Sequence, residues 1–296
     1  MVRTASKWLT AGLMSLSSAA QAFTVFACEP EWAALTRILM PQATVHVATH
    51  AAQDPHHIEA RPSLIAQLRS SDLAVCTGAG LEAGWLPLLQ QRAGRAAPLF
   101  EAADHVVLID ARPGAVAHPW AGDVHAEGNP HLHTDPHKLL EVSQALAEEL
   151  ATMRPAERAA ITQRAAHFAA QWRSSITRWE QRAAALKGRR VVVQHASFAY
   201  LWRWLGMIPQ VDLEPKPGMA PTPGHLQHLL NSLRSTPPSA IVLASYQDPR
   251  AGRWLQRQLQ VPVPLLILPA TVEETAGQEG LVKWMDTVIN ELSKLE

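Results

Sequence analysis

Histidine is the residue type that stands out in this chain. There are fourteen histidines, against two tyrosines and two cysteines. Imidazole and carboxylate groups are common ligands of transition metals such as Zn²⁺, so metal binding is the first chemistry to consider. Candidate ligands occur at four places: the segment Asp54-Pro55-His56-His57-Ile58-Glu59, the segment Gly128-Asn129-Pro130-His131-Leu132-His133, His195, and Asp248 before Pro249.

These candidates follow runs of residues that predict β-strands. His195 comes directly after the run VVVQ, and Asp248 lies shortly after the run IVLA. Parallel α/β sheets place their sites at the carboxyl ends of strands, so we expect the ligands to meet there, two from each half of the chain. His131 and His133 compete for one ligand position, and the sequence leaves that choice open.

Short apolar runs rich in β-branched residues alternate with longer amphipathic stretches. This alternation is typical of parallel sheets flanked by helices. The predicted fold class is therefore α/β, with two lobes that each hold a roughly four-stranded parallel sheet. The predicted strands are Phe23–Ala27, Thr44–Ala48, Leu73–Cys76, Val106–Ile109, Val191–Val193, Ile208–Leu213, Ala240–Ala244 and Leu265–Leu268.

A long helical region separates the two sets of strands. From about Pro155 to Leu186 apolar residues recur at steps of three and four, which predicts one helix of roughly 45 Å. Such a helix could serve as a rigid backbone between the lobes. We expect an N-terminal metal-binding lobe at 23–152, the linking helix at 153–187 and a C-terminal metal-binding lobe at 188–296.

The first residues, 1–22, have the pattern of a cleaved secretory signal. Arg3 and Lys7 supply positive charge, a short apolar stretch follows, and Ala20-Gln21-Ala22 offers small residues for cleavage. The apolar stretch is shorter than the roughly 20 residues needed to span a bilayer, so we expect removal of the segment and no membrane anchor.

The remaining composition narrows the choice of partners. The formal charge of the whole chain is zero, and its arginines form no basic run, which argues against a nucleic-acid partner. Cys28 and Cys76 each end a strand-like run. They could pair in an oxidising compartment or remain two buried free thiols, and both readings stay open.

Several motifs fall in a specific order along the mature chain. They are Asp54-Pro55-His56 with Arg61-Pro62-Ser63, Thr77-Gly78-Ala79-Gly80-Leu81-Glu82 with Trp85, Asn129-Pro130-His131 with Asp135-Pro136, His195-Ala196-Ser197-Phe198-Ala199-Tyr200, and Asp248-Pro249-Arg250. In this order the chain resembles the zinc and manganese solute-binding proteins of ABC importers. The resemblance implies a periplasmic, monomeric receptor that binds its metal through His56, His131, His195 and Asp248 and passes it to an ABC permease.

The ligand types favour one metal of this family. Three imidazoles and one carboxylate suit Zn²⁺, whereas Mn²⁺ prefers more oxygen ligands, so Mn²⁺ or iron is the alternative cargo. The irregular segment Asp110–Thr134 is expected to form a mobile loop, and its length and composition depart from those of the family. The long acidic, histidine-rich loop of many zinc-specific members is reduced there to His118, His125 and their neighbours.

Two other classes of protein compete with this interpretation. A zinc-dependent hydrolase or chelatase would also use cleft histidines, but the chain has no HExxH, GxSxG or phosphate-binding glycine loop, so no enzymatic activity is expected. A siderophore or cobalamin binder could use the ten tryptophans. However, Trp172, Trp179 and Trp284 fall on helical faces, which indicates packing in the core.

Overall fold

Two parallel β-sheets with the same strand order form the framework of the protein. The computed structural model describes residues 22–94, 97–112 and 123–295. The first sheet, in the order β2-β1-β3-β4, contains β1 Thr24–Ala27, β2 Thr44–Val47, β3 Leu73–Cys76 and β4 Leu99–Glu101. The second, in the order β6-β5-β7-β8, contains β5 Arg190–Val193, β6 Ile208–Asp212, β7 Ala240–Ala244 and β8 Leu265–Leu268. The predicted fold class is confirmed.

One predicted strand was wrong. The fourth strand is Leu99–Glu101, which pairs with β3 so that Glu101 lies opposite Cys76. Val106–Ile109 is irregular, and Val107 is 79% exposed. The Ile109 backbone N–H donates to the Tyr200 hydroxyl of the second half, so this apolar segment packs across the molecule instead of extending the sheet.

Helices connect the strands and cover both sheets. Most of them begin with proline in the first turn, where the missing N–H costs no helical hydrogen bond. The helices are α1 Pro30–Leu39, α2 Pro62–Ser70, α3 Leu86–Ala93, α4 Pro136–Met153, α5 Arg158–Arg182, α6 Ala199–Leu205, α7 Pro223–Leu233, α8 Arg250–Gln258 and α9 Gln278–Ser293. Within the described residues, none of them combines the length and the hydropathy required to cross a membrane.

The long helix predicted between the two sheets is α5. It has 25 residues and is therefore about 38 Å long, because short 3-10 turns form at both ends of the predicted span. Trp172 donates to the Pro136 carbonyl, and Trp179 donates to Asp286 on α9. α5 also packs on α1, so it contacts elements from both halves. As predicted, Trp172 and Trp179 are buried core residues.

A single apolar core extends through both sheets. Val25 and Leu73 of the first sheet belong to the same buried cluster as Val191 and Val242 of the second. The side chain of Arg37 adds polar contacts between the halves, donating to the carbonyls of residues 274 and 276. This packing fixes the strand ends of one sheet relative to those of the other.

The two cysteines are joined in the structure. Cys28 follows β1 and Cys76 ends β3, which are neighbouring parallel strands, and the Cα atoms of the two cysteines are 4.8 Å apart. Of the two alternatives that the sequence left open, the structure contains the disulfide. The predicted secretory signal falls at residues 1–22, of which 1–21 lie outside the described residues.

Candidate metal centre

Three of the four predicted ligands meet in a cleft between the sheets. One ring nitrogen of each of His56, His131 and His195 lies within 4.8 Å of the other two. All three side chains are buried. His56 lies between β2 and α2, His131 begins the short turn before α4, and His195 follows β5, so both halves of the chain contribute.

A neighbouring carboxylate orients the ring of His56. Asp54 Oδ1 accepts the backbone N–H of His56 at 3.0 Å and lies 2.7 Å from its Nδ1. Burial raises the pKa of Asp54, but its hydrogen bonds with His56 and the charge of that ring outweigh burial, so the pKa is lowered. The ionised carboxylate holds the proton on Nδ1, which leaves the Nε2 lone pair of His56 directed into the cleft.

The ring of His131 has an unpaired nitrogen in a buried position. Its backbone N–H donates to Asn129 Oδ1 at 2.8 Å, and the Asn129 amide donates to the Ala196 carbonyl in the second half. Nε2 of His131 has no hydrogen-bond partner within the described part of the chain. Burial, then the neighbouring His56 and His195, lower the pKa of His131 well below its usual value. The ring is therefore neutral, and its unpaired nitrogen is suited to a metal.

His195 adopts an uncommon backbone conformation. Its φ of +60° lies in the left-handed region, which is costly for a residue with a side chain. Asp212 accepts its backbone N–H at 3.0 Å, and Glu214 Oε2 lies 3.1 Å from its Nδ1. Burial lowers the pKa of His195, but the hydrogen bond and charge of Glu214 raise it more, and the net pKa is raised. These contacts hold the ring in the cleft.

The structure does not bring Asp248 into this cluster. Its side chain is exposed, and its carboxylate accepts the backbone N–H of Arg250 at 2.9 Å and the Arg250 Nε at 2.6 Å. Hydrogen bonds from Arg250 lower the pKa of Asp248. Asp248 lines the same cavity of about 670 Å³ as His195, but its carboxylate does not belong to the group formed by the three ring nitrogens.

His131 and His133 face different surroundings. Nε2 of His133 lies 3.1 Å from the Ala270 carbonyl, and its Nδ1 lies 3.2 Å from a carboxylate oxygen of Glu31. The ring also stacks on Trp284. His133 Nδ1 also makes no hydrogen bond in the described part of the chain, but it faces the Glu31 carboxylate, whereas the ring of His131 faces His56 and His195.

A fourth histidine, which was not among the predicted ligands, lies at the edge of the cluster. Nε2 of His125 is 3.3 Å from Nε2 of His56. Burial, then the charges of His56 and His195, lower the pKa of His125 to about 4, against smaller opposing effects of Asp123 and the Ala79 backbone. Its signals in the sequence were the high histidine content and its place in the shortened histidine-containing loop. His118, from the same sequence segment, lies outside the described residues.

The arrangement is suited to holding a divalent transition metal. Imidazole nitrogens from both halves converge in a buried cleft, and carboxylates hold the opposite nitrogens of two of the rings. Metal-binding histidines are commonly oriented in this way. Two matching parallel sheets, a helix that contacts both halves and a histidine cluster between them define a metal-binding receptor with two lobes.

Comparison with known proteins identifies the family. The sequence model of the family described as zinc-uptake complex component A, periplasmic (ZnuA), matches residues 25–295. The chain belongs to this family of periplasmic metal-binding proteins, as the sequence motifs predicted. No curated protein gives a significant match to it.

Solved structures share the fold at low sequence identity. A crystal structure of ZnuA superposes with a TM-score of 0.78 at 18% identity, covering 93% of this chain and 99% of the other. FpvC from Pseudomonas aeruginosa, solved with Mn²⁺, gives 0.75 at 20% identity, with 93% and 100% covered. A cadmium-bound periplasmic metal-binding protein from Candidatus Liberibacter asiaticus gives 0.73 at 16% identity, with 91% and 99% covered.

Proposed function

We propose that this protein captures Zn²⁺ in the periplasm through His56, His131 and His195 and delivers it to an ABC-type importer. The observation that carries the proposal is the convergence of three buried ring nitrogens within 4.8 Å of one another, one of them without a hydrogen-bond partner in the described part of the chain. An unpaired buried nitrogen costs about 1–3 kcal/mol, and a bound cation would remove that cost.

The surroundings of the cluster support a metal ion as cargo. Asp54 and Glu214 hold the Nδ1 atoms of His56 and His195, so in both rings Nε2 is the nitrogen available to a metal. The two carboxylates also offset part of the charge of a divalent cation. The proposed ligand core contains the three histidines without Asp248, because that carboxylate would first have to break its contacts with Arg250.

The choice of Zn²⁺ rests on the ligand chemistry of this chain. Proteins with the same fold have been solved with manganese, nickel or cadmium bound, so the fold alone does not select a metal. A cluster of imidazole nitrogens suits Zn²⁺, whereas Mn²⁺ favours oxygen ligands and binds nitrogen sites weakly. We therefore expect Zn²⁺ to bind much more tightly than Mn²⁺.

Delivery to an importer is proposed from the family. Its description as a component of a zinc-uptake complex supports a role as a receptor without enzymatic activity, which docks on a membrane permease. We propose that the receptor acts as a monomer after removal of residues 1–22.

Metal titration of the mature protein tests the proposal. The wild type and the variants His56→Ala, His131→Ala and His195→Ala would be stripped of metal and titrated with Zn²⁺ and Mn²⁺ in competition with a chelator. The control is His137→Ala, because His137 is half exposed and pairs with Glu180 away from the cluster.

We expect one tight zinc equivalent in the wild type and in the control, and its loss in the three cluster variants. Circular dichroism would verify that each variant is folded. Equal zinc affinity in all five proteins would reject the site. Delivery would be tested by growth of a deletion strain under zinc limitation, where the wild type, but not His131→Ala, should restore growth.

A further inference from the structure

His125 is positioned against the open side of the histidine cluster. Its Nε2 lies 3.3 Å from Nε2 of His56, and the centroids of the two rings are 5.4 Å apart. The ring comes from the segment before Asn129, not from one of the motifs that carry the other three histidines. It is not in the group whose nitrogens are all within 4.8 Å of one another, so it lies farther from His131 or His195 than from His56.

The spacing of the two Nε2 atoms matches two ligands of one zinc ion. In a tetrahedral site the distance between ligand atoms is about 1.6 times the bond length, so Zn–N bonds of 2.0–2.1 Å place the nitrogens about 3.3–3.4 Å apart. The 3.3 Å between His125 and His56 agrees with this value. Because Asp54 lies on the Nδ1 side of His56, the lone pair on the His56 Nε2 faces His125.

The backbone beside His125 is shaped to receive its ring. Gly78, Ala79 and Gly80 have consecutive positive φ values of 78°, 50° and 80°, a conformation that places this turn under the imidazole. A Cβ atom built at Gly80 would lie 3.4 Å from the His125 Nδ1, so the ring rests on this turn. On the other side, the backbone N–H of Asp123 donates to the Pro217 carbonyl, which ties the segment to the second half of the protein.

We propose that His125 supplies the fourth ligand, so that the metal is held by four imidazoles. This inference rests on the proposed function, because it completes the site formed by His56, His131 and His195. It requires the His125 ring to move toward the nitrogens of His131 and His195. Asp248, the carboxylate that the sequence suggested for this position, remains bound to Arg250.

An all-nitrogen site explains how this chain would distinguish between metals. Mn²⁺ would find no oxygen ligand among the four side chains, whereas Zn²⁺ forms stable tetrahedral sites with histidine. The positive charge of such a site is balanced by the carboxylates of Asp54 and Glu214. Loss of His125 should therefore weaken Zn²⁺ binding more than Mn²⁺ binding.

The test compares His125→Ala with Asp248→Ala in the full mature protein. Zinc affinity would be measured by chelator competition, and the ligands would be counted by X-ray absorption spectroscopy of the zinc-loaded protein and by the visible spectrum of the Co²⁺ form. We expect four imidazoles in the wild type and in Asp248→Ala, and three in His125→Ala. We also expect a 10- to 1000-fold loss of zinc affinity in His125→Ala, and recovery of the wild-type Co²⁺ spectrum when free imidazole is added.

The outcomes separate this inference from the proposed function. Three imidazoles plus oxygen in the wild type, with unchanged zinc affinity in His125→Ala, would overturn the role of His125 and leave the three-histidine receptor intact. Loss of an oxygen ligand and of affinity in Asp248→Ala would also overturn it. If the wild type itself bound no zinc tightly, the proposed function would fail together with the inference.

Discussion

Asp54 offers the sharpest test of how the site is organised, because it holds His56 without belonging to the proposed ligand set. One oxygen of its carboxylate accepts the backbone N–H of His56 and contacts the ring Nδ1 at 2.7 Å. Asp54→Asn would keep an acceptor oxygen in this place and remove the negative charge. Asp54→Ala would remove both the charge and the acceptor.

The expected losses follow from these contacts. Groups that orient a metal-binding histidine commonly contribute 10- to 100-fold to metal affinity. Asp54→Asn should therefore weaken zinc binding by about 10-fold, or about 1.4 kcal/mol. Asp54→Ala should weaken it by about 100-fold, or about 2.7 kcal/mol, because the ring is then free to turn and to exchange its tautomer.

The assay is competition with a chelator of known zinc affinity at pH 7.5. Asp248→Asn and Asp248→Ala are the matched controls, because Asp248 is a carboxylate that lines the same cavity but is bound to Arg250. Both controls should stay within twofold of the wild type. Wild-type affinity in Asp54→Ala would refute the orienting role, as would equal losses at positions 54 and 248.

Three further predictions concern the disulfide, a buried carboxyl group and pH. Replacing Cys28 and Cys76 by alanine opens a loop with a sequence separation of 48, so the free energy of unfolding should fall by about 4 kcal/mol. Calorimetry should show a Tm lower by roughly 7 °C, and zinc affinity should change little. Burial raises the pKa of Glu82 from 4.5 to about 7, so the stability contributed by its protonated form is lost as pH rises through that interval. Urea unfolding should show the stability of Glu82→Gln relative to the wild type increasing between pH 5 and pH 8, on the order of 2 kcal/mol. Zinc must displace the proton of His195, whose pKa is raised, so zinc affinity should fall at least 10-fold from pH 7.5 to pH 5. Glu214→Gln should move this loss of affinity to lower pH. Equal zinc affinity at pH 7.5 and pH 5 would exclude the proposed ligands.

Most of the fold could be predicted from local patterns in the sequence. Seven of the eight strands and the long helix occur where apolar periodicity indicated them. A buried strand requires a run of apolar residues, and an amphipathic helix requires apolar residues at steps of three and four, so both can be recognised in the sequence. The exception is instructive. Val106–Ile109 is as apolar as a strand, but Val107 is exposed and Ile109 binds Tyr200 of the other half, and Leu99–Glu101 is too short for a clear pattern.

The proposed site was predictable only where its histidines follow strands or lie in motifs. The convergence of His56, His131 and His195 could be expected because their segments lie at strand ends, which parallel sheets bring together. Asp248 also follows a strand, but its carboxylate accepts a hydrogen bond from Arg250. Residue types alone do not predict whether this local contact or a metal would hold the carboxylate. His125 lies near the cluster because of contacts between distant segments, and no short-range pattern encodes them.

The packing between the halves suggests how capture and release would differ in the proposed mechanism. The Tyr200 hydroxyl donates to the Asn129 carbonyl, and the Asn129 amide donates to the Ala196 carbonyl, so residues beside two of the proposed ligands are joined across the cleft. With a shared core and α5 against both halves, a wide hinge motion would break many contacts at once. Under the proposed function, capture would need only limited movements, such as that of the His125 ring, because folding has already ordered the other nitrogens. Release would then be difficult without help, so we propose that docking on the importer supplies the free energy that separates the Asn129 segment from Ala196.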